Sequence, residues 1–139
     1  MSAAFVVDCS IAMTWLFQDE VTPKTEALYD RLTRETALAP TLWFIEVADV
    51  IALAERKGRV NAAQAAIFIG NIGKLGIEQD DQGSSRAFAH LLPICRTHHL
   101  TSYDALYLDL AIRRSLPLAT LDEPLRKAAK KLGVTLLGK

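Results

Sequence analysis

The stretch Ser102–Ala129, SYDALYLDLAIRRSLPLATLDEPLRKAA, decides the fold class. Behind Ser102, a hydroxyl suited to capping, apolar residues recur at helical spacing, and Asp104 falls in the first turn. Leu118–Thr120 then reads as a short strand, and Asp122 follows it at the head of a second helix whose first turn accommodates Pro124. Helix, strand and helix in quick succession argue for a parallel sheet, because parallel neighbours need crossovers and those are usually helices. In an open parallel sheet, groups just past the carboxyl ends of strands share one crevice with the first turns of the following helices. Asp104 and Asp122 are therefore expected close together.

The rest of the chain continues the alternation. Ala4–Asp8 is a short apolar run ending in an acid, the pattern of a buried parallel strand, and Ala37–Ala39, closed by Pro40, is a plausible second. Ile77–Asp80 and Val134–Leu136 are weaker strand candidates. Helices are predicted from Ser10 to about Phe17, over Thr22–Glu35, over Thr41–Arg56 with Gly58 as a stop, and from the cap Asn61 to about Leu75 with Gly76 as terminator. Further helices are predicted over Gln82–His99, bent or split at Pro93, over Ser102–Ser115, and over Glu123–Leu132. The expected architecture is α/β: a three-layer α/β/α sandwich around a central, mostly parallel sheet of four to five short strands, with residues 1–139 as a single domain. Trp15 and Leu106 are expected in its core.

Composition narrows the function classes. With 50% hydrophobic and 23% charged residues and no Pro-, Gly- or Ser-rich linker, the chain is globular. A formal net charge of zero gives no sign of a protein that coats nucleic acid, although it leaves a nucleic-acid substrate open. The basic residues gather in clusters: Arg56, Lys57 and Arg59; Arg113 and Arg114; Arg126, Lys127, Lys130 and Lys131. Each can equally be a solvated helix end favoured by the macrodipole. Cys9 and Cys95 are far apart in apolar company and read as reduced thiols. The start of the chain lacks a signal-peptide pattern, and no run approaches ~18 uninterrupted apolar residues, so no membrane span and a cytoplasmic location are expected.

The acids are more telling together than singly. Asp8, Asp104 and Asp122 could each serve as a helix cap or a dipole partner. Glu46 is different: it sits inside LWFIEVADVIALA, where an ionised carboxylate is costly unless something pairs with it, and its i+3 neighbour Asp49 is also an acid. Either Glu46 looks onto a cation-filled crevice or it lies on a narrow polar stripe. Converging carboxylates without counter-charge would raise one another's pKa values, and a hard divalent cation resolves that problem. An all-oxygen site favours Mg²⁺ or Mn²⁺ over Zn²⁺. Asp109 falls about 140° round the helix from Asp104 and should face elsewhere, and Asp80 and Asp81 read as turn residues. His90, His98 and His99 lack metal-ligand spacing.

These residues resemble the PIN domain, and specifically the VapC-type toxins of bacterial toxin–antitoxin pairs. The matching pieces are VVDCS around Asp8–Ser10, the block Pro40, Trp43, Glu46 and Val47, then Tyr103–Asp104–Ala105, and Pro117–Leu118–Ala119–Thr120–Leu121–Asp122. They come in family order and span nearly the whole chain. The resemblance implies that Asp8, Glu46, Asp104 and Asp122 form an acidic quartet holding Mg²⁺ or Mn²⁺, with Ser10 and Thr120 as polar support. Asp49 stands where relatives often carry Asn. A homodimer and a cognate antitoxin that blocks the crevice are also implied.

The chemistry expected is metal-dependent hydrolysis of RNA phosphodiester bonds, with no side-chain nucleophile. Asp8, Asp104 and Asp122 would be the principal ligands and Glu46 would complete the shell or orient the attacking water. Arg56, Lys57 and Arg59 are candidates to hold backbone phosphates on the rim. Two other readings remain: a phosphoacceptor signalling domain, which fits poorly because a single Asp8 is followed by Cys9 and no strand-end Lys is apparent, and an inert binding module that kept the fold.

Overall fold

Three consecutive apolar residues, Phe5–Val7, form strand β1, and all three are buried, as a strand covered on both faces requires. In the computed structural model, which describes residues 3–139, β1 is the centre of a five-stranded sheet. The others are β2 (Thr36–Pro40), β3 (Gly76–Asp80), β4 (Leu118–Ala119) and β5 (Leu136–Leu137). The order is β3-β2-β1-β4-β5, and every neighbouring pair is parallel. Seven α-helices connect them: α1 (Cys9–Leu16), α2 (Pro23–Arg31), α3 (Thr41–Arg56), α4 (Ala62–Ile72), α5 (Leu92–His98), α6 (Ser102–Arg114) and α7 (Glu123–Lys131). Helix α1 packs on α2, α3 and α4, while α6 packs on α5 and α7. Because the crossovers to β2 and β3 run one way along the sheet and those to β4 and β5 the other, right-handed connections cover both faces. The result is the expected α/β/α sandwich, with five strands and all of them parallel.

Several boundaries differ for local reasons. Helix α6 is capped by Thr101 rather than Ser102: the Thr101 Oγ1 accepts from the Asp104 amide at 3.2 Å. Helix α2 stops at Arg31, and the backbone turns before Glu35 rather than continuing helically to it. Gly76 is the first residue of β3 and not a helix terminator; a Cβ there would lie 2.5 Å from the Glu35 carbonyl, so the parallel approach to β2 requires glycine. The predicted long helix over Gln82–His99 breaks into a 3₁₀ turn at Ser84–Arg86, a π-helical turn at Ala87–Leu91 and then α5, with Pro93 in its first turn. The last strand is Leu136–Leu137 rather than Val134–Leu136. Trp15 is buried, with its indole N–H donating to the Thr25 carbonyl at 2.9 Å, whereas Leu106 is partly exposed and lies over Gly83.

Candidate active site

Strand order alone locates a crevice. The chain leaves β1 toward β2 on one side, while β4 pairs with β1 on the other, so the β1/β4 seam is a topological switch point open at its carboxyl end. Val7 pairs with Ala119, which sets Asp8 and Thr120 side by side as the next residues of the two strands. The Thr120 hydroxyl donates to Asp8 Oδ2 at 2.7 Å, and the Ser10 hydroxyl donates to the same oxygen at 2.7 Å. Ser10 Oγ in turn accepts from the Leu121 amide at 2.9 Å, and Thr120 Oγ1 from the Asp122 amide at 3.1 Å. Two hydroxyls thus knit the carboxylate of β1 to the backbone leaving β4. Asp8 occupies the N-cap position of α1 but makes no side-chain cap bond, so it is not spent on the helix.

Asp122 does cap its helix: Oδ2 accepts from the Leu125 amide at 2.9 Å. Asp104 stands in the first turn of α6, which the helix dipole favours, and Glu46 lies a little more than one turn into α3. Glu46 Oε1 accepts a 2.5 Å hydrogen bond from the hydroxyl of Tyr107, a fully buried side chain on α6 one turn beyond Asp104. That bond fixes the direction of Glu46. Its carboxylate turns toward α6 and is half-buried there, while Asp49 stays exposed at the solvent side of α3.

The electrostatics follow from this convergence. Burial pushes the Asp104 carboxyl up from 3.8 to about 6, reinforced by the charges of Asp122 and Asp8. Burial also raises Asp8, against the pull of the Ser10 and Thr120 hydroxyls, and Asp122 adds to the rise. Glu46 is raised by burial, opposed by the Tyr107 hydrogen bond and helped by Asp8 and Asp104. Cys9, beneath Glu46 and Asp8, is pushed up to about 12 chiefly by burial and remains a thiol. None of the four acids makes an ion pair with Lys, Arg or His among the described residues. An all-oxygen donor set of mutually repelling carboxylates fits a hard divalent cation. Among the described residues no three such side chains stand together as a ready-made direct-ligand cluster.

The remaining acids and bases are sorted elsewhere. Asp80 ends β3 and is buried, not a turn residue: Arg113 donates to its two carboxylate oxygens at 3.0 and 2.9 Å. Burial opposes that charge, but the Arg113 bonds prevail and hold Asp80 below its ordinary value. Asp109 faces away from the crevice and takes a two-pronged bond from Arg86 at 2.7 and 3.0 Å. Arg59 stacks its guanidinium 3.6 Å over the Phe17 ring and binds Asp19 and Glu20, which occupies its charge; Arg56 and Lys57 are exposed. Arg56 is ten residues along α3 from Glu46, about 15 Å away on the helix axis.

One residue escaped the sequence reading, and another was read only as a member of a basic cluster. Tyr107 shares a face of α6 with Asp104 at i+3, a spacing that could have flagged it. Arg126 donates through Nη1 to the carbonyls of Thr120 at 2.6 Å and Leu137 at 3.1 Å, closing the ends of β4 and β5. Its position at i+4 from Asp122 was the available signal.

Comparisons with known proteins agree with this picture. A comparison with curated protein sequences finds no match. Among solved structures, the crystal structure of PAE2754 from Pyrobaculum aerophilum superposes with a TM-score of 0.70 at 23% identity, over 96% of this chain and 83% of that one. VapBC2 from Rickettsia felis, solved bound to a DNA fragment from the promoter of the pair, gives a TM-score of 0.63 at 14% identity, over 96% of both chains. At these identities the likeness is one of fold. The family model of the PIN domain, whose members are typically nucleases, matches residues 5–131 and so takes in every strand but the last and all four acids of the crevice: the chain belongs to the PIN domain family.

Proposed function

We propose that this chain is a Mg²⁺- or Mn²⁺-dependent endoribonuclease that hydrolyses RNA phosphodiester bonds, acting as the toxin of a toxin–antitoxin pair. The observation that carries the reading is the set of carboxylates at the β1/β4 switch point, Asp8, Glu46, Asp104 and Asp122, of which Asp8, Glu46 and Asp104 are raised. Such a set is costly in isolation and becomes favourable around a dication. When bound, the cation supplies Lewis acidity, polarising the phosphoryl oxygen and lowering the pKa of adjacent water. Asp8, Asp104 and Asp122 would hold it, directly or through water. Ser10 and Thr120 occupy Oδ2 of Asp8 and so fix which way that carboxylate presents its other oxygen. Glu46, steadied by Tyr107 through Oε1, would accept a proton from the attacking water with its second oxygen.

An antitoxin partner is supported by the fold shared with the toxin–antitoxin pair of Rickettsia felis. A homodimer is supported by large apolar side chains left exposed at Ile45 on α3, Ile67 and Ile69 on α4, and Phe88, which is 88% exposed. No helix among the described residues is long and apolar enough to cross a membrane, which accords with action on RNA in the cytoplasm.

The test is digestion of total cellular RNA by purified wild type and Asp104→Asn, each with Mg²⁺, Mn²⁺ or chelator, with the cut ends mapped. Discrete cuts that need metal and vanish in the variant are expected. Metal-independent cuts, or equal cutting by Asp104→Asn, would overturn the assignment, and a partner-free sample that binds Mn²⁺ yet cuts nothing would favour the inert module.

A further inference from the structure

Among the described residues, the cations of α7 form a basic cluster that begins one turn beyond Asp122 and makes no ion pair. Arg59, Arg86 and Arg113 are each taken up by acids, and Arg56 and Lys57 stand about 15 Å along α3 from Glu46. Arg126, Lys127, Lys130 and Lys131, by contrast, make no ion pair among the described residues. They line a groove of about 720 Å³, with His98 and His99 at the end of α5 on its other wall. The single acid in that groove, Glu123, is bound by Lys139.

Geometry gives the groove a direction. It begins at Arg126, one turn of α7 beyond Asp122, where two strand-end carbonyls hold the guanidinium by Nη1. The other edge of that fork makes no hydrogen bond among the described residues and stays available for a bidentate phosphate contact. From there the cations run along the helix in two i,i+4 rows, Arg126 to Lys130 and Lys127 to Lys131, each about 6 Å long on the axis. Consecutive cations can therefore meet consecutive phosphates of an extended strand. Lys127, Lys130 and Lys131 are all solvent-exposed, so phosphate contact asks no desolvation of buried groups.

We infer that the groove between α7 and the end of α5 is the track for the sugar-phosphate backbone of the substrate RNA on one side of the scissile bond, entered at Arg126. The inference rests on the nuclease reading and adds the surface along which the strand lies, in place of Arg56, Lys57 and Arg59. Contacts of this kind set register and affinity without reading bases.

The experiment compares the Asp104→Asn protein, in Mg²⁺ so that the probe stays intact, with the same protein carrying Lys127→Gln, Lys130→Gln and Lys131→Gln. A labelled single-stranded RNA of mixed sequence is bound to each over a salt series by fluorescence anisotropy. Each phosphate contact contributes about 0.7 to the slope of log K against log salt, so the triple change should flatten the slope by about 2. The matched control, Arg56→Gln with Lys57→Gln, should leave it unaltered. In the otherwise wild-type enzyme, the triple change should raise KM for RNA with kcat unaltered. An unchanged slope and KM in the triple variant, with RNA still bound and cut, would defeat the track alone, as expected of a groove made for an acidic protein segment. Failure of the parent proteins to bind or cut RNA at all would defeat the nuclease reading and the track with it.

Discussion

Replacing Asp104 by Asn should make the metal-free protein more stable at neutral pH, although it removes a polar charge from the surface of a crevice. The Asp104 carboxyl rises from 3.8 to about 6 on folding, first through burial and then through the charges of Asp122 and Asp8. Between those two values the folded state holds a proton that the unfolded state has released, so stability falls as pH rises through the window and the loss is complete above about pH 6. For a fully buried group a rise of this size corresponds to about 3 kcal/mol; solvent screening at half-buried Asp104 reduces the expected gain in Asp104→Asn to about 1 kcal/mol. In a domain of this length that is a rise in Tm of about 4 °C. Thermal unfolding of both proteins in chelator, from about pH 4 to about pH 8, should show curves that coincide at the acid end and separate as the carboxylate ionises. Saturating Mn²⁺ should reverse the ranking, because only the wild type keeps the full donor set; at a concentration about 100-fold over Kd the cation stabilises it by about 2.7 kcal/mol. A variant less stable than wild type in chelator at neutral pH, or a gap that does not close on acidification, would refute the claim that folding raises the Asp104 carboxyl.

Tyr107→Phe removes only the hydroxyl that steadies Glu46 and should lower kcat/KM for RNA about tenfold, on the basis of about 1.4 kcal/mol for a hydrogen bond to a charged group; unaltered kinetics would show that Glu46 needs no such support. Arg113→Gln strands the buried carboxylate of Asp80 and should cost about 3 kcal/mol of stability in denaturant unfolding, with the deficit shrinking as pH falls and Asp80 is neutralised. Leu108→Ala, at a fully buried position of α6, should cost about 3 kcal/mol, and a loss below about 1 would mean that the helix is less tightly packed on the sheet than it stands here.

Most of the architecture was legible because parallel sheets write themselves plainly: β1 and β4 are apolar runs flanked by an acid or a hydroxyl, and α2, α4, α6 and α7 each begin at a side-chain cap. What escaped was long-range pairing. Nothing near Asp80 in sequence announces Arg113, so a buried ion pair looked like a turn. The segment after it looked helical up to a bend or split at Pro93 because its polarity pattern is helical, while the π-helical turn ahead of Pro93, which packs against α6, left no local mark. Glu46 stood out because a charge amid apolar residues is locally anomalous, whereas Tyr107, an aromatic among aromatics and aliphatics, is not. Positions that violate local expectation are visible in one dimension, and their partners become visible only in three. The basic row of α7 was visible as well, but whether its charges were spent could be decided only once the other arginines had found their acids.

The Asp8–Thr120 bond spans 112 residues of chain, and it ties the first strand to one made near the end. During synthesis, Asp8, Ser10 and Glu46 leave the ribosome long before Asp104, Thr120 and Asp122 exist. A nascent chain lacking β4 has no seam on which the crevice can form, and Asp8 waits without its hydroxyl partner. The crevice can therefore close only after the segment carrying Asp104, Thr120 and Asp122 has been made and has paired with β1, so its assembly is a late event in the folding of this domain.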